Sequence, residues 1–420
     1  NRVAPERHKF LGVDHRLALF GKIPVLNKLA TLAPRLRRAR PSVSLTSQDG
    51  RLLDDVAAQQ PSLSEAADVL MDAIMRAGAA RARKVRFQPA GEQYIAQYLL
   101  DGVLHNVEAF TEELGGRVVA CASQLVGLSR DGRLRQGSGD IYVELPGLGQ
   151  VTIGAQVSSA EGKPVLLLSL PDWTDQLYRS GLEALGMHEA IIKRIKAALD
   201  QTKAALLIGG PPGSGRTTTL YAVAGALDVF TTDLAILHKG PTHEVEHARY
   251  WSFGDDRPFA QVLQEVLREG PHAIMLGDVE EPEQARSGLE FGADEGLLLA
   301  GLSATDAPEA LLHLKKLAGT ADLVGRAITC VIVQRLLRKI CTACREQVEP
   351  NPALLKKLNI DPSNPGVWYR PVGCQSCLNS GYHGRTGIFG MLILTEPVKE
   401  ALQRADVTVA NIRQGAGKAA

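Results

Sequence analysis

The sequence predicts an α/β protein: a largely parallel sheet covered on both faces by helices, with a smaller α+β domain before it and a tetracysteine module near its end. Three observations carry that expectation. From Leu182 onward, short apolar runs alternate with longer helical patterns, the texture of strands joined by covering helices. Between residues 62 and 171, brief extended segments with Asp-Gly turns flank two helical stretches. Late in the chain stand two hooks, Cys341-x-x-Cys344 and Cys374-x-x-Cys377. The expected organisation is a basic segment and linker over 1–61, the α+β domain over 62–171 and a linker over 172–185. The α/β domain then fills 186–420, with the cysteine module inside 335–390.

The first stretch, Pro41–Pro61, is polar and bounded by prolines, and reads as a linker. Ser62 or Ser64 caps a helix over Glu65–Ala77, with Gly78 just past its end. Extended segments follow at Lys84–Gln88 and Tyr94–Leu100, and Asp101-Gly102 turns the chain into Val103–Val107. A second helix is expected over Thr111–Leu125, another turn at Asp131-Gly132, and strands at Ile141–Leu145, Val151–Ile153 and Val165–Leu170. Beyond Leu182 the expected helices are Met187–Leu199, Arg216–Leu227, Phe259–Arg268 and Glu283–Phe291. Between them lie strands at Ala204–Ile208, Asp233–Leu237, His272–Leu276 and Leu297–Leu302. In such sheets ligands bind at the carboxyl ends of the strands.

With 420 residues, 45% of them hydrophobic, and a net charge of +1, the chain reads as an ordinary globular protein with room for several cores. No apolar run approaches the ~20 residues that cross a bilayer and no secretory signal is visible, so the cytoplasm is the expected location. Charge is uneven, since Asn1–Arg40 holds ten Lys or Arg against Glu6 and Asp14. Such a segment suits an anionic membrane or an acidic partner, and equally a solvated leader. The body lacks the concentrated basic stripe of a nucleic-acid-binding surface, and no nucleic acid is expected.

The stretch Ala204–Tyr221 is the most informative. An apolar strand runs into a glycine-rich loop and a helix starts right after it, so backbone N–H groups and a helix N-terminus converge on a point suited to anionic oxygens. Gly210, Pro211, Pro212, Gly213, Ser214, Gly215, Arg216, Thr217 and Thr218 are the expected nucleotide-binding residues, with Thr217 as the magnesium ligand. Arg216 stands where such loops carry lysine, and in place of a compact, strongly hydrated ammonium it brings a guanidinium that is planar, larger and committed to a fork of donors. The strand His272–Leu276 leads through Gly277 to Asp278, placed where a nucleotide hydrolase holds magnesium or orients water.

Four of the six cysteines form the two hooks, and Cys341, Cys344, Cys374 and Cys377 together offer thiolates for a closed tetrahedral zinc site. A redox pair would need only one hook. Cys121 and Cys330 sit in apolar contexts and read as core. His243-Glu244-Val245-Glu246-His247 matches the zinc-protease pattern, which requires both histidines on one side of a long helix. Pro241 just before it and the aromatic run after it favour an extended segment instead.

With these pieces in order, the chain resembles the type II secretion and type IV pilus assembly ATPases of the secretion-ATPase superfamily. The resemblance covers Leu63 to Leu402. Its blocks are Tyr98-Leu99-Leu100-Asp101-Gly102-Val103-Leu104, Arg130-Asp131-Gly132-Arg133, the loop Gly210 to Tyr221, Ile274 to Asp278 and Ala304-Thr305-Asp306-Ala307-Pro308. They continue with Val333-Gln334-Arg335-Leu336 and with Gly373-Cys374-x-x-Cys377-x-x-x-Gly381-Tyr382-x-Gly384-Arg385-x-Gly387-Ile388. The resemblance implies a RecA-like P-loop domain carrying the zinc module, with ATP and magnesium bound between two lobes. It further implies a cytoplasmic hexamer, peripheral to the inner membrane, that works on an inner-membrane platform or docking protein.

Against that family, the lysine of the loop is Arg216, and the acidic stretch after the second strand is Lys239-Gly240-Pro241-Thr242-His243. The glutamate ending the next strand is Asp278, the arginine after it is Glu280, a histidine is Ser303, and Val151–Leu170 contains no arginine to neutralise phosphate. Phosphoryl transfer depends almost wholly on positioning and electrostatics, and losing one stabiliser commonly costs about 100- to 1000-fold. The expected function is therefore a nucleotide-binding homologue of the motor with impaired hydrolysis, in a homo- or hetero-hexamer or beside an active paralogue in a mixed ring. The alternative is an active motor with a rewired site, in which Glu244 or Glu246 serves as a displaced acid with Asp278. A nucleic-acid motor and a zinc metalloprotease are the remoter readings.

Overall fold

Alternation decides the first sheet. In the computed structural model, which describes residues 45–47, 50, 52–130, 133–145, 149–171, 177–228, 230–240 and 243–417, every second residue of β3 (Gln93–Leu100) is buried, from Tyr94 to Leu100. Before it come β1 (Leu45–Ser47), α1 (Leu53–Gln59), α2 (Ser64–Ala79) and β2 (Lys84–Ala90). After it come β4 (Val103–Thr111), α3 (Glu112–Leu125), a small ladder of β5 (Ser129–Arg130) and β6 (Arg133–Leu134), β7 (Gly137–Leu145), β8 (Gly149–Ala160) and β9 (Lys163–Ser169). The order β1-β7-β8-β9-β2-β3-β4 is antiparallel throughout. Helices α2 and α3 supply small and aliphatic residues to the core, and the Tyr98 hydroxyl donates to the Ala73 carbonyl at 3.0 Å, so this buried phenol is satisfied.

Two expectations change here. Within the stretch read as a linker, Leu45–Ser47 pairs with Ile141–Val143, and α1 buries Leu53 and Val56. Isolated Leu and Val in a polar run are a weak periodic signal; the partner strand lies almost a hundred residues away and is invisible locally. β8 is also far longer than Val151–Ile153, since pairing on both edges with β7 and β9 holds its small and polar residues extended. The basic segment Asn1–Arg40, the Asp131-Gly132 turn and residues 172–176 lie outside the described residues.

The second sheet is built from α4 (Glu189–Leu199), β10 (Ala204–Gly210), α5 (Arg216–Ala224), β11 (Leu234–His238), β12 (Arg249–Ser252), α6 (Phe259–Arg268), β13 (Ala273–Asp278), α7 (Pro282–Asp294) and β14 (Leu297–Ser303). It continues with α8 (Ala307–Ala318), α9 (Ala321–Ala327) and β15 (Ile328–Ile340). The cysteine module holds β16 (Glu346–Val348), α10 (Pro352–Lys357) and β17 (Trp368–Arg370), and the chain returns through β18 (Tyr382–Ile393), α11 (Glu396–Gln403) and α12 (Val409–Gly417).

Its order is β12-β11-β13-β14-β10-β15-β18, parallel except for the antiparallel β18. Strand β10 lies in the middle with all seven residues buried. One face packs on α6, α7, α8, α9, α11 and α12, the other on α4 and α5, which explains the continuous apolar runs of β10 and β14. Each fully buried Leu or Ile contributes about 1.5–3 kcal/mol, so Leu206, Leu207 and Ile208 anchor the strand whose end becomes the loop. No described helix is long and apolar enough to cross a membrane.

Candidate functional site

The site begins where β10 runs out. Gly215 ends the loop at φ 90°, in the left-handed region that favours glycine, and a Cβ there would also crowd the Gln334 amide nitrogen at 3.1 Å. Helix α5 starts at the next residue with no side-chain cap, leaving its first-turn amides as orphan donors. Gln334 on β15 closes the loop from behind, its Nε2 donating to the Ser214 carbonyl at 2.8 Å. Ser214 Oγ and Gln334 Oε1 have no hydrogen-bond partner although their residues are only 4% and 2% exposed. Orphaned buried polar atoms beside an uncapped helix N-terminus mark a place for a polar ligand.

Arg216 does not point away into solvent. Its Nε donates to Asp278 Oδ1 at 2.8 Å, Nη2 donates to Asp278 Oδ2, and Nη1 donates to the Gly210 carbonyl. The arginine side chain is 10% exposed and the aspartate 37%. Strand β14 separates β10 from β13, yet the carboxylate leans across it because Gly301, facing Asp278 in the register, has no Cβ; one there would stand 2.6 Å from Oδ1. Arginine's flat fork matches the two carboxylate oxygens, which lysine's point charge cannot do.

Magnesium at such a loop would draw on the Thr217 hydroxyl and on Asp278. Thr217 is exposed on the first turn of α5 and Thr218 is half-buried, but both oxygens of Asp278 are engaged by the guanidinium. As arranged, this donor set does not fit a divalent cation. Beside it, Asp278, Glu280, Lys239, His238 and Phe253 line a cleft of about 200 Å³. Lys239 Nζ meets Glu281 at 3.0 Å, a hydrogen bond that pushes its pKa up, and lies 5.6 Å from the Phe253 ring centre.

Glu244 is elsewhere engaged. Its carboxylate takes Arg179 Nη2 at 3.0 Å and its carbonyl takes the Tyr178 hydroxyl at 2.9 Å, and among the described residues no hydrogen bond or ion pair joins it to Arg216 or Asp278. The zinc-protease geometry is absent: residues 243–245 are not helical, and His247 sits at φ 59° beside Glu246. His243 instead packs on Tyr178 and Tyr221, with ring centres 5.1 and 4.9 Å away.

The cysteine hooks do converge. All four Sγ atoms lie within 4.8 Å of one another, with Cys341–Cys374 at 4.0 Å, Cys344–Cys377 at 3.9 Å and Cys374–Cys377 at 3.7 Å. Zinc–sulfur bonds of about 2.3 Å require tetrahedral edges of about 3.8 Å, so the donor set fits a structural zinc ion. Burial opposes the Cys377 thiolate, but amides of Cys374 and Gly381 donate to it and bring its pKa down to about 7. Cys344, by contrast, is pushed up to about 11, first by desolvation.

Two stretches far apart in the chain also meet in space, which periodicity does not reveal. The Gly384 amide donates to Asp101 Oδ2 at 2.7 Å, and Arg385 Nε lies 3.9 Å from Oδ1, so the tip of the β3–β4 hairpin seats on β18.

A buried central strand, a glycine loop and an uncapped helix N-terminus at the carboxyl edge of a parallel sheet define the phosphate-loop α/β class. The chain belongs to the family described as Type II/IV secretion system protein, whose model matches residues 59–419. It is 30% identical over 359 residues to the protein transport protein HofB homolog of Escherichia coli, covering 84% of this chain and 75% of that one. It is 27% identical to type II secretion system protein E of Pseudomonas aeruginosa, over 76% of this chain and 64% of the relative. With the type IV pilus assembly ATPase PilB of Myxococcus xanthus it shares 26%, over 79% and 58%. The chain thus spans less than two thirds of the last two. Among solved structures, the Legionella pneumophila ATPase DotB superposes with a TM-score of 0.52 at 16% identity, over 83% of this chain and 87% of that one, a likeness of fold.

Proposed function

We propose that this homologue of the secretion and pilus-assembly motor ATPases binds ATP in the loop Gly210–Thr218 and hydrolyses it slowly or not at all. The observation that carries the reading is the Arg216–Asp278 ion pair, which joins the loop's cation to the strand-end carboxylate. The carboxylate that should orient water or metal is held at both oxygens by the loop's own cation, and Lys239 stands paired with Glu281 where the family carries acid. Glu244, held by Arg179, gives no support to a rewired acid. In this reading Cys341, Cys344, Cys374 and Cys377 hold zinc as a structural clamp. The subunit works at the cytoplasmic face of the inner membrane, in a homo- or hetero-hexamer or in a mixed ring with an active paralogue, docked on a platform protein. Titration with a fluorescent ATP analogue, followed by phosphate release in the same tube, tests it. Saturable binding with turnover at least 100-fold below an intact family member is expected; comparable turnover overturns it.

A further inference from the structure

We infer that the phosphate tail enters this loop without a divalent cation, the Arg216 guanidinium standing in for magnesium opposite Asp278. The inference rests on the nucleotide-binding reading and concerns how that site is neutralised. Magnesium demands a near-octahedral oxygen set, gives up water reluctantly, and is usually bound through one or two carboxylates together with the phosphates. Here the strand-end carboxylate already holds a cation at both oxygens. That cation is firmly placed, since its side chain is 10% exposed and its third nitrogen is tied to the Gly210 carbonyl. Displacing it by magnesium would break two charge-assisted hydrogen bonds and leave a guanidinium beside a dication.

The same geometry leaves the site able to receive an anion. A guanidinium has five N–H donors. Three are taken by Asp278 and Gly210, so two remain on the residue that opens α5, a helix whose N-terminus has no side-chain cap. Ser214 Oγ, at 4% residue exposure and without a partner, supplies an independent sign that a polar ligand completes the loop. Gly301 makes the arrangement possible, because any side chain there would drive Asp278 away from Arg216.

The test is binding of a fluorescent ATP analogue to the full chain in magnesium and in EDTA, for the parent and for Arg216→Lys. The parent should show dissociation constants within about twofold of each other, whereas the lysine variant, unable to span both carboxylate oxygens, should bind at least about tenfold more weakly in EDTA. A parent that loses tenfold or more in EDTA overturns the inference, and so does a lysine variant equally indifferent to magnesium. Should the variant fail to fold by circular dichroism, the parent's two constants decide alone. A parent that binds in neither buffer fails the nucleotide reading itself, which is a distinct result.

Discussion

Arg216 and Asp278 hold each other through two parallel hydrogen bonds, Nε to Oδ1 at 2.8 Å and Nη2 to Oδ2, tying the helix after the glycine loop to a strand two places away in the sheet. Asp278→Asn should therefore destabilise the chain as well as alter the site. It leaves a nearly buried guanidinium half-compensated, but the partly exposed aspartate tempers the effect, so a loss of about 1–3 kcal/mol is expected. Urea unfolding of Asp278→Asn, Arg216→Lys and the double variant would measure the coupling, and a coupling near zero would show the pair to be idle.

Gln334→Leu keeps volume but removes the bond to the Ser214 carbonyl from a residue 2% exposed. The orphaned carbonyl should reduce stability by about 1–3 kcal/mol, and the loosened loop should weaken nucleotide binding several-fold. Unchanged nucleotide affinity would mean that β15 supports the sheet and not the loop.

Zinc should be present at one ion per chain and should vanish in Cys341→Ser. The module's own sheet is only β16 with β17, too small to stand alone, so chelation should expose residues 346–370 to protease. Thiol titration gives a second readout. Four thiols should react quickly after chelation, while Cys121 and Cys330, both pushed up to about 12 by burial, should stay inert.

Acid should loosen the hairpin tip. His105 on β4 has its pKa lowered, first by burial and then by the Arg338 guanidinium, against the pull of Asp101. The unfolded chain then binds that proton more readily, so the stability from the neutral ring is complete above about pH 6.5 and is lost as pH falls through that value toward the folded pKa. Melting curves between pH 7.5 and 5.5 should show the parent losing more than His105→Gln, by less than about 1 kcal/mol because the ring is half-exposed. Equal losses would clear His105 of the effect.

The amino-acid sequence by itself determined whatever depends on neighbours along the chain. Apolar runs of β10 and β14, the glycine loop before Arg216 and the spacing of the four cysteines are local patterns, and each is set by backbone geometry or ligand chemistry. Leu45–Ser47 escaped that reading because its partner is Ile141–Val143, and Gln334 because it reaches the loop from β15. Only the tertiary structure decided where Arg216 points. That direction depends on a missing side chain at Gly301, on a different strand, which opens the space for Asp278 to lean across. A side chain's type is written at its own position, but its partner is chosen by packing between segments far apart in the chain.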